Sequence, residues 1–123
     1  MRMPTMVVDD QPDVRFLIKL LIDKANDGLV VVAEAGSGAE AIDRAAETQP
    51  LVVVIDEMMP GMNGLEAAGH LRRNHPSQVI ILCTAYLDDE MVERAREAGV
   101  VHCISKEQVG ELPELIRHAV ATS

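Results

Sequence analysis

Aromatic side chains are nearly absent from this chain: Phe16 and Tyr86 are the only two, and there is no tryptophan. Any core must therefore be aliphatic, and a hydrophobic content of 48% over 123 residues is enough to build one in a domain of ordinary size. Basic residues are also scarce. Eleven lysines and arginines face 20 aspartates and glutamates, for a net charge of -9 spread along the chain rather than gathered in a tail. That balance argues against direct nucleic-acid binding by this domain, because phosphates select basic surfaces. It is compatible with a site for a cation. Cysteine is limited to Cys83 and Cys103, each inside an apolar run, with no CxxC pair or Cys/His cluster at zinc spacing. Both read as small buried hydrophobes in a reducing compartment. The histidines His70, His75, His102 and His118 lack ligand spacing as well, and His70, His75 and His118 read as surface residues. No stretch approaches the roughly 20 apolar residues that span a bilayer. The N-terminus reaches Asp9 and Asp10 before any long apolar run, so no secretion signal is expected. A soluble, cytoplasmic protein without membrane contact is the expectation.

What is present is an alternation of short apolar runs with longer amphipathic ones. Strands are expected at 5–8, 29–35, 51–56, 78–85 and 100–105, and helices at 13–25, 38–48, 64–74, 88–99 and 110–121. In the first helix Val14, Leu17, Ile18, Leu21 and Ile22 fall on one face, with Asp13 acidic in the first turn. Pro50 and Pro76 end the second and third helices. Five strand–helix repeats with short connections imply an α/β fold: a doubly wound parallel sheet with helices on both faces, in a single domain over 1–123. The "GSG" at 36–38 lacks a phosphate-loop lysine and reads as a turn before a helix.

In an open α/β sheet, ligands bind beyond the carboxyl ends of the strands. The first strand ends in Asp9 and Asp10, the third in Asp56, the fourth in Thr84, and the fifth in Ser105 and Lys106, while Glu34 on the second should lie to one side. Each of these has an ordinary explanation alone. Asp9 or Asp10 could cap a helix, Asp56 could be a cap or a reactive group, Thr84 could be a strand residue, and Lys106 could be solvated. A cap does not account for a lysine and a threonine on the same sheet edge. If these strands are neighbours, three carboxylates converge and need compensation, which Mg²⁺ and Lys106 could supply. Such a pocket suits a transferred phosphoryl group, with a carboxylate attacking phosphorus in line.

The stretches "VVDDQPDVR", "VVVIDEMMPGMNGLE", "IILCTAY" and "CISK", in this order and across essentially the whole chain, resemble the receiver domains of bacterial two-component response regulators. The resemblance implies a flavodoxin-like five-stranded sheet of order 2-1-3-4-5. It implies that Asp56 is the phospho-acceptor, that Pro60, Gly61 and Gly64 shape the following loop, and that Thr84 and Lys106 bind phosphoryl oxygens. Asp9, Asp10, Asp56 and the backbone carbonyl of Met58 would then hold Mg²⁺. Thr84, Tyr86 and the Cys103 position would carry the switch. Met58 and Tyr86 stand where side chains influence phosphoryl hydrolysis. The implied partners are a sensor histidine kinase or phosphotransfer protein, and a second copy through the face of the fourth helix and fifth strand. The chain departs from the family at Glu107, where proline is usual after the lysine, and at Cys103, where an aromatic is usual. Those departures keep open a second reading, a degenerate receiver acting as an interaction module without phosphorylation. An Asp-nucleophile phosphatase is a third, disfavoured because no cap segment is evident. The closing "ELPELIRHAV" resembles receivers that precede a helix-turn-helix output, and that analogy leaves open that the chain is the front of a longer regulator.

Overall fold

The computed structural model describes residues 2–123. Its elements are β1 (Met3–Val8), α1 (Pro12–Ala25), β2 (Leu29–Ala35), α2 (Gly38–Thr48), β3 (Val52–Ile55), α3 (Gly64–Asn74), β4 (Val79–Thr84), α4 (Asp89–Glu97), β5 (His102–Ser105), a 3₁₀ segment (Lys106–Glu111) and α5 (Leu112–Thr122). All four strand pairings are parallel, and the sheet order is β2-β1-β3-β4-β5. The expected α/β fold and strand order are both observed.

The uninterrupted apolar strands follow from burial on both faces. Every residue of β3 and β4 is buried. Alternate residues feed two different cores, as the two-residue strand period requires. Val53, Ile55, Ile80 and Leu82 pack under α2, α3 and α4, against Ala41, Ala45, Ala67, Ala68, Leu71 and Ala95. Val52, Val54, Ile81 and Cys83 pack under α1 and α5, against Ile18, Ile22, Leu112 and Ile116. On their face of the sheet, α2 and α3 contribute mostly small side chains to the core. On the other face, larger isoleucines and leucines fill the gap, each worth about 2 kcal/mol on full burial.

Several boundaries differ from the sequence expectation. β1 starts at Met3, two residues early, and tolerates Pro4 because it lies at the strand's beginning. β5 starts at His102 rather than Val100, because the Val100 amide closes α4 by donating to the Ala95 carbonyl at 2.9 Å. The last helix starts at Leu112 and is preceded by the 3₁₀ segment, which lacks the apolar periodicity that would have announced it. On α1 the face is narrower than expected: Ile18 and Ile22 are buried, but Leu17 is 45% exposed. Cys83 is buried as expected, whereas Cys103 on the last strand of the sheet is only half-buried.

Candidate functional site

The register of the sheet brings four strand ends to one edge, with β4 and β5 running two residues past β1 and β3. β1 ends at Val8, beside Ile55 of β3. Thr84 of β4 pairs with Ser105 of β5. The residues just beyond these ends, Asp9, Asp10, Asp56 and Lys106, therefore meet over β1, β3 and β4. One carboxylate oxygen from each of Asp9, Asp10 and Asp56 lies within 4.8 Å of the others. Asp9 and Asp56 are buried, while Asp10 is exposed. Lys106 reaches across the sheet, its Nζ 3.0 Å from Asp9 Oδ2 and 3.2 Å from Asp56 Oδ2.

None of the three acids is a helix cap. The N-cap of α1 is Gln11, with no side-chain hydrogen bond to the helix. Asn63 caps α3 in a reciprocal box with Glu66. Asp9 Oδ1 instead accepts from the Gln11 amide at 2.9 Å, inside the β1–α1 loop. Burial raises the Asp9 pKa, helped by the Asp56 charge and opposed by hydrogen bonds from Gln11 and Lys106. For Lys106, burial acts to lower the pKa, but hydrogen bonds and charge from Asp9 and Asp56 outweigh it and leave the value raised. The ammonium is therefore firmly charged at neutral pH.

At this site two buried oxygens, Asp56 Oδ1 and Thr84 Oγ1, have no hydrogen-bond partner among the described residues; Asp27 Oδ1, Arg44 Nε and Gln78 Oε1 share that state elsewhere in the molecule. Leaving such atoms unpaired costs about 1–3 kcal/mol each. At a crevice that also holds two further carboxylates and a lysine, two such atoms are available to a group from outside the chain. An all-oxygen set of three carboxylates suits a hard divalent cation of the Mg²⁺ type, which also relieves their mutual repulsion. The donor set thus fits such an ion.

The loop after Asp56 is fixed tightly. The Gly64 position has no room for a side chain, because a Cβ there would lie 2.2 Å from the Asp56 carbonyl oxygen. Gly61 has φ +76°, a left-handed backbone that glycine accommodates. Met58 and Tyr86, two residues beyond Asp56 and Thr84, are 64% and 82% exposed. Glu107 uses a hydrogen bond that proline could not make, its amide donating to Ser105 Oγ at 3.3 Å.

Two residues escaped the sequence reading. Glu57 is buried; its Oε1 accepts from the Leu65 amide at 2.8 Å and its Oε2 lies 3.9 Å from Arg94 on α4. Nothing in the local pattern marks it. Arg15 donates to the Asp9 carbonyl at 2.6 Å and to Glu34 Oε1 at 3.2 Å. A signal for it existed: a cation near the N-terminal end of a helix opposes the helix dipole and so implies a partner.

Residues 5–117 match the response regulator receiver domain family. The chain belongs to that family. It is 39% identical to the response regulator GacA of Pseudomonas protegens over 102 residues, covering 82% of this chain and 47% of that protein. The chemotaxis protein CheY of Thermotoga maritima is 37% identical over 101 residues, with 82% of each chain covered. Among solved structures, a LuxR-family two-component response regulator from Aurantimonas sp. SI85-9A1 superposes with a TM-score of 0.93 at 33% identity, covering 99% of this receiver and 87% of that chain. This receiver spans about half the length of the GacA proteins it matches. As a receiver domain it is a two-component signalling module. Among the described residues, no helix is long and apolar enough to cross a membrane.

Proposed function

We propose that this receiver takes a phosphoryl group onto Asp56 from the phosphohistidine of a sensor kinase or phosphotransfer protein. The observation that carries the reading is the pair of buried, unpartnered oxygens, Asp56 Oδ1 and Thr84 Oγ1, beside a lysine already bound to Asp56. An Asp56 carboxylate oxygen attacks phosphorus and the phosphorus–nitrogen bond to the donor imidazole breaks, its electron pair staying on the ring. Lys106 lies against Asp56 Oδ2 and offers charge to the phosphoryl oxygens. Thr84 offers a hydroxyl that has no other partner. Asp9, Asp10 and Asp56, with the Met58 carbonyl, would hold Mg²⁺, which neutralises phosphoryl charge when bound. These clustered acids, two of them buried, are costly to keep together without a cation, which favours this reading over a module that never binds phosphate.

The switch is assigned to Thr84 and the segment after it. Cys103 is too small to replace an aromatic ring that swings between two packings, and Tyr86 is the aromatic beside the site. Phosphorylation reorders the 84–106 segment, including α4 and β5, and a second copy of the chain or an output domain reads that face. The setting is the cytoplasm. The test is amide hydrogen exchange with and without beryllofluoride and Mg²⁺. Protection changes concentrated in 84–106, reduced by Tyr86→Ala, are expected. Bound mimic with no change there would favour the phosphorylation-independent module.

A further inference from the structure

Asp10 is the exposed member of the acid cluster, and its direction depends on the peptide planes on either side of it. Four contacts fix the backbone there. Val8 and Asp9 are laddered into the sheet, with the Asp56 amide donating to the Val8 carbonyl at 3.0 Å and the Asp9 amide to Ala35 at 3.1 Å. The Gln11 amide, at the far side of Asp10, is held by Asp9 Oδ1 at 2.9 Å. Between them lies the Asp9–Asp10 peptide. Its carbonyl has left the sheet and is held at 2.6 Å by a side chain, the Arg15 guanidinium. A peptide unit is planar, so fixing the Asp9 carbonyl also fixes the Asp10 amide and Cα; with the Gln11 amide held on the far side, the direction in which the Asp10 side chain leaves is restrained as well.

Arg15 is itself braced. Its Nε lies 3.2 Å from Glu34 Oε1 on β2, and Lys19 holds Glu34 Oε2 at 2.8 Å. Its side chain is only 20% exposed. The fork of the guanidinium suits this task, because it can engage a carboxylate and a carbonyl at once, which a single ammonium cannot do with the same geometry.

We infer that Arg15 is a positioning residue for the cation site, a clamp braced by Glu34 that holds the Asp9–Asp10 peptide so that Asp10 stays within reach of Asp9 and Asp56. The inference rests on the reading of this acid cluster as a Mg²⁺ site. It has a rival of opposite sign. If Arg15 acted only as a nearby positive charge, its removal would tighten binding of a divalent cation. If it acts as a clamp, its removal loosens binding, because Asp10 loses its preset direction. Outer contacts that orient metal ligands are typically worth 10–100-fold in affinity.

The experiment is a titration of the isotope-labelled chain with Mg²⁺ alone, followed through the Asp10 and Gln11 amide resonances, for the parent, Arg15→Ala and Arg15→Lys. Thermal unfolding without Mg²⁺ is measured in parallel. The clamp gives an Arg15→Ala dissociation constant raised about tenfold, with Arg15→Lys in between. An unchanged or lowered constant in folded Arg15→Ala overturns the inference, as does a lowered melting temperature with parent-like affinity. If Arg15→Ala does not fold, Arg15→Lys decides: parent-like affinity overturns the clamp. A parent that shows no saturable Mg²⁺ response brings down the cation reading together with the clamp. A parent that binds beside an Arg15→Ala that binds equally well removes only the clamp.

Discussion

Replacing Lys106 by methionine removes the one ammonium bridging two buried acids. The side chain keeps its length, so the change is mainly electrostatic. At an effective dielectric of about 20, each contact near 3 Å is worth roughly 5 kcal/mol of Coulomb attraction before desolvation is subtracted. Most of that is offset, because burying the ions is itself costly and Lys106 is 22% exposed. Removing one partner of a buried pair typically costs about 3–5 kcal/mol, and the lower end applies to this partly wet site. Unfolding entropy near 2.1 cal/mol/K per residue makes about 3 kcal/mol worth roughly 10 °C in melting temperature for a chain of this size. The loss should depend on pH. The folded pKa of Asp9 is already above its ordinary 3.8 and rises further without Lys106, which acts to lower it. In the window between the unfolded and folded values the folded state binds more protons, so stability falls as pH rises through it. The Lys106→Met deficit is therefore largest at neutral pH and shrinks on acidification toward pH 4. Lys106 itself, with its pKa raised above 10.5, is charged in the parent throughout that range. The assay is thermal unfolding of both proteins without metal from pH 4 to 8. Asp9→Asn in the Lys106→Met background should recover part of the loss. A deficit below about 0.5 kcal/mol, flat with pH, would mean the contact behaves as a surface ion pair and would refute the reasoning.

Gly64→Ala should destabilise the fold by about 3 kcal/mol or more, because the new Cβ would press on the Asp56 carbonyl and the clash is with backbone. Denaturant unfolding checks it, and a change under 1 kcal/mol would mean the loop shifts freely. Asp10→Asn should leave the melting temperature unchanged or higher, since it removes one of three clustered carboxylates, while abolishing Mg²⁺-dependent phosphorylation. Met58 and Tyr86 are exposed two residues beyond Asp56 and Thr84, so if they shield the phosphoryl group, replacing both with serine should shorten its half-life, measured by loss of label; an equal or longer half-life would count against the shielding role.

Much of this site was legible because strand ends are easy to read. Val52–Ile55 and Val79–Thr84 are unbroken apolar runs, and a parallel sheet puts whatever follows them on one edge. On that reasoning Asp56, Thr84 and Lys106 share one edge of the sheet. The sequence could not show that Lys106 would contact Asp9 as closely as Asp56, because that distance depends on how the 3₁₀ segment leaves β5. Glu57 stayed hidden because a buried acid held by one amide leaves no periodic trace. Leu17 was misplaced because a five-residue apolar stripe is wider than the contact α1 makes with the sheet. Arg15 was overlooked although its place near the start of α1, where a cation is unfavourable, was itself informative.

The most direct measurement is the intact mass of the chain after incubation with acetyl phosphate, with and without Mg²⁺, for the parent and for Asp56→Asn. The account predicts one added phosphoryl group on the parent, only with Mg²⁺, and none on Asp56→Asn. No addition to the parent, or equal addition to Asp56→Asn, would contradict it.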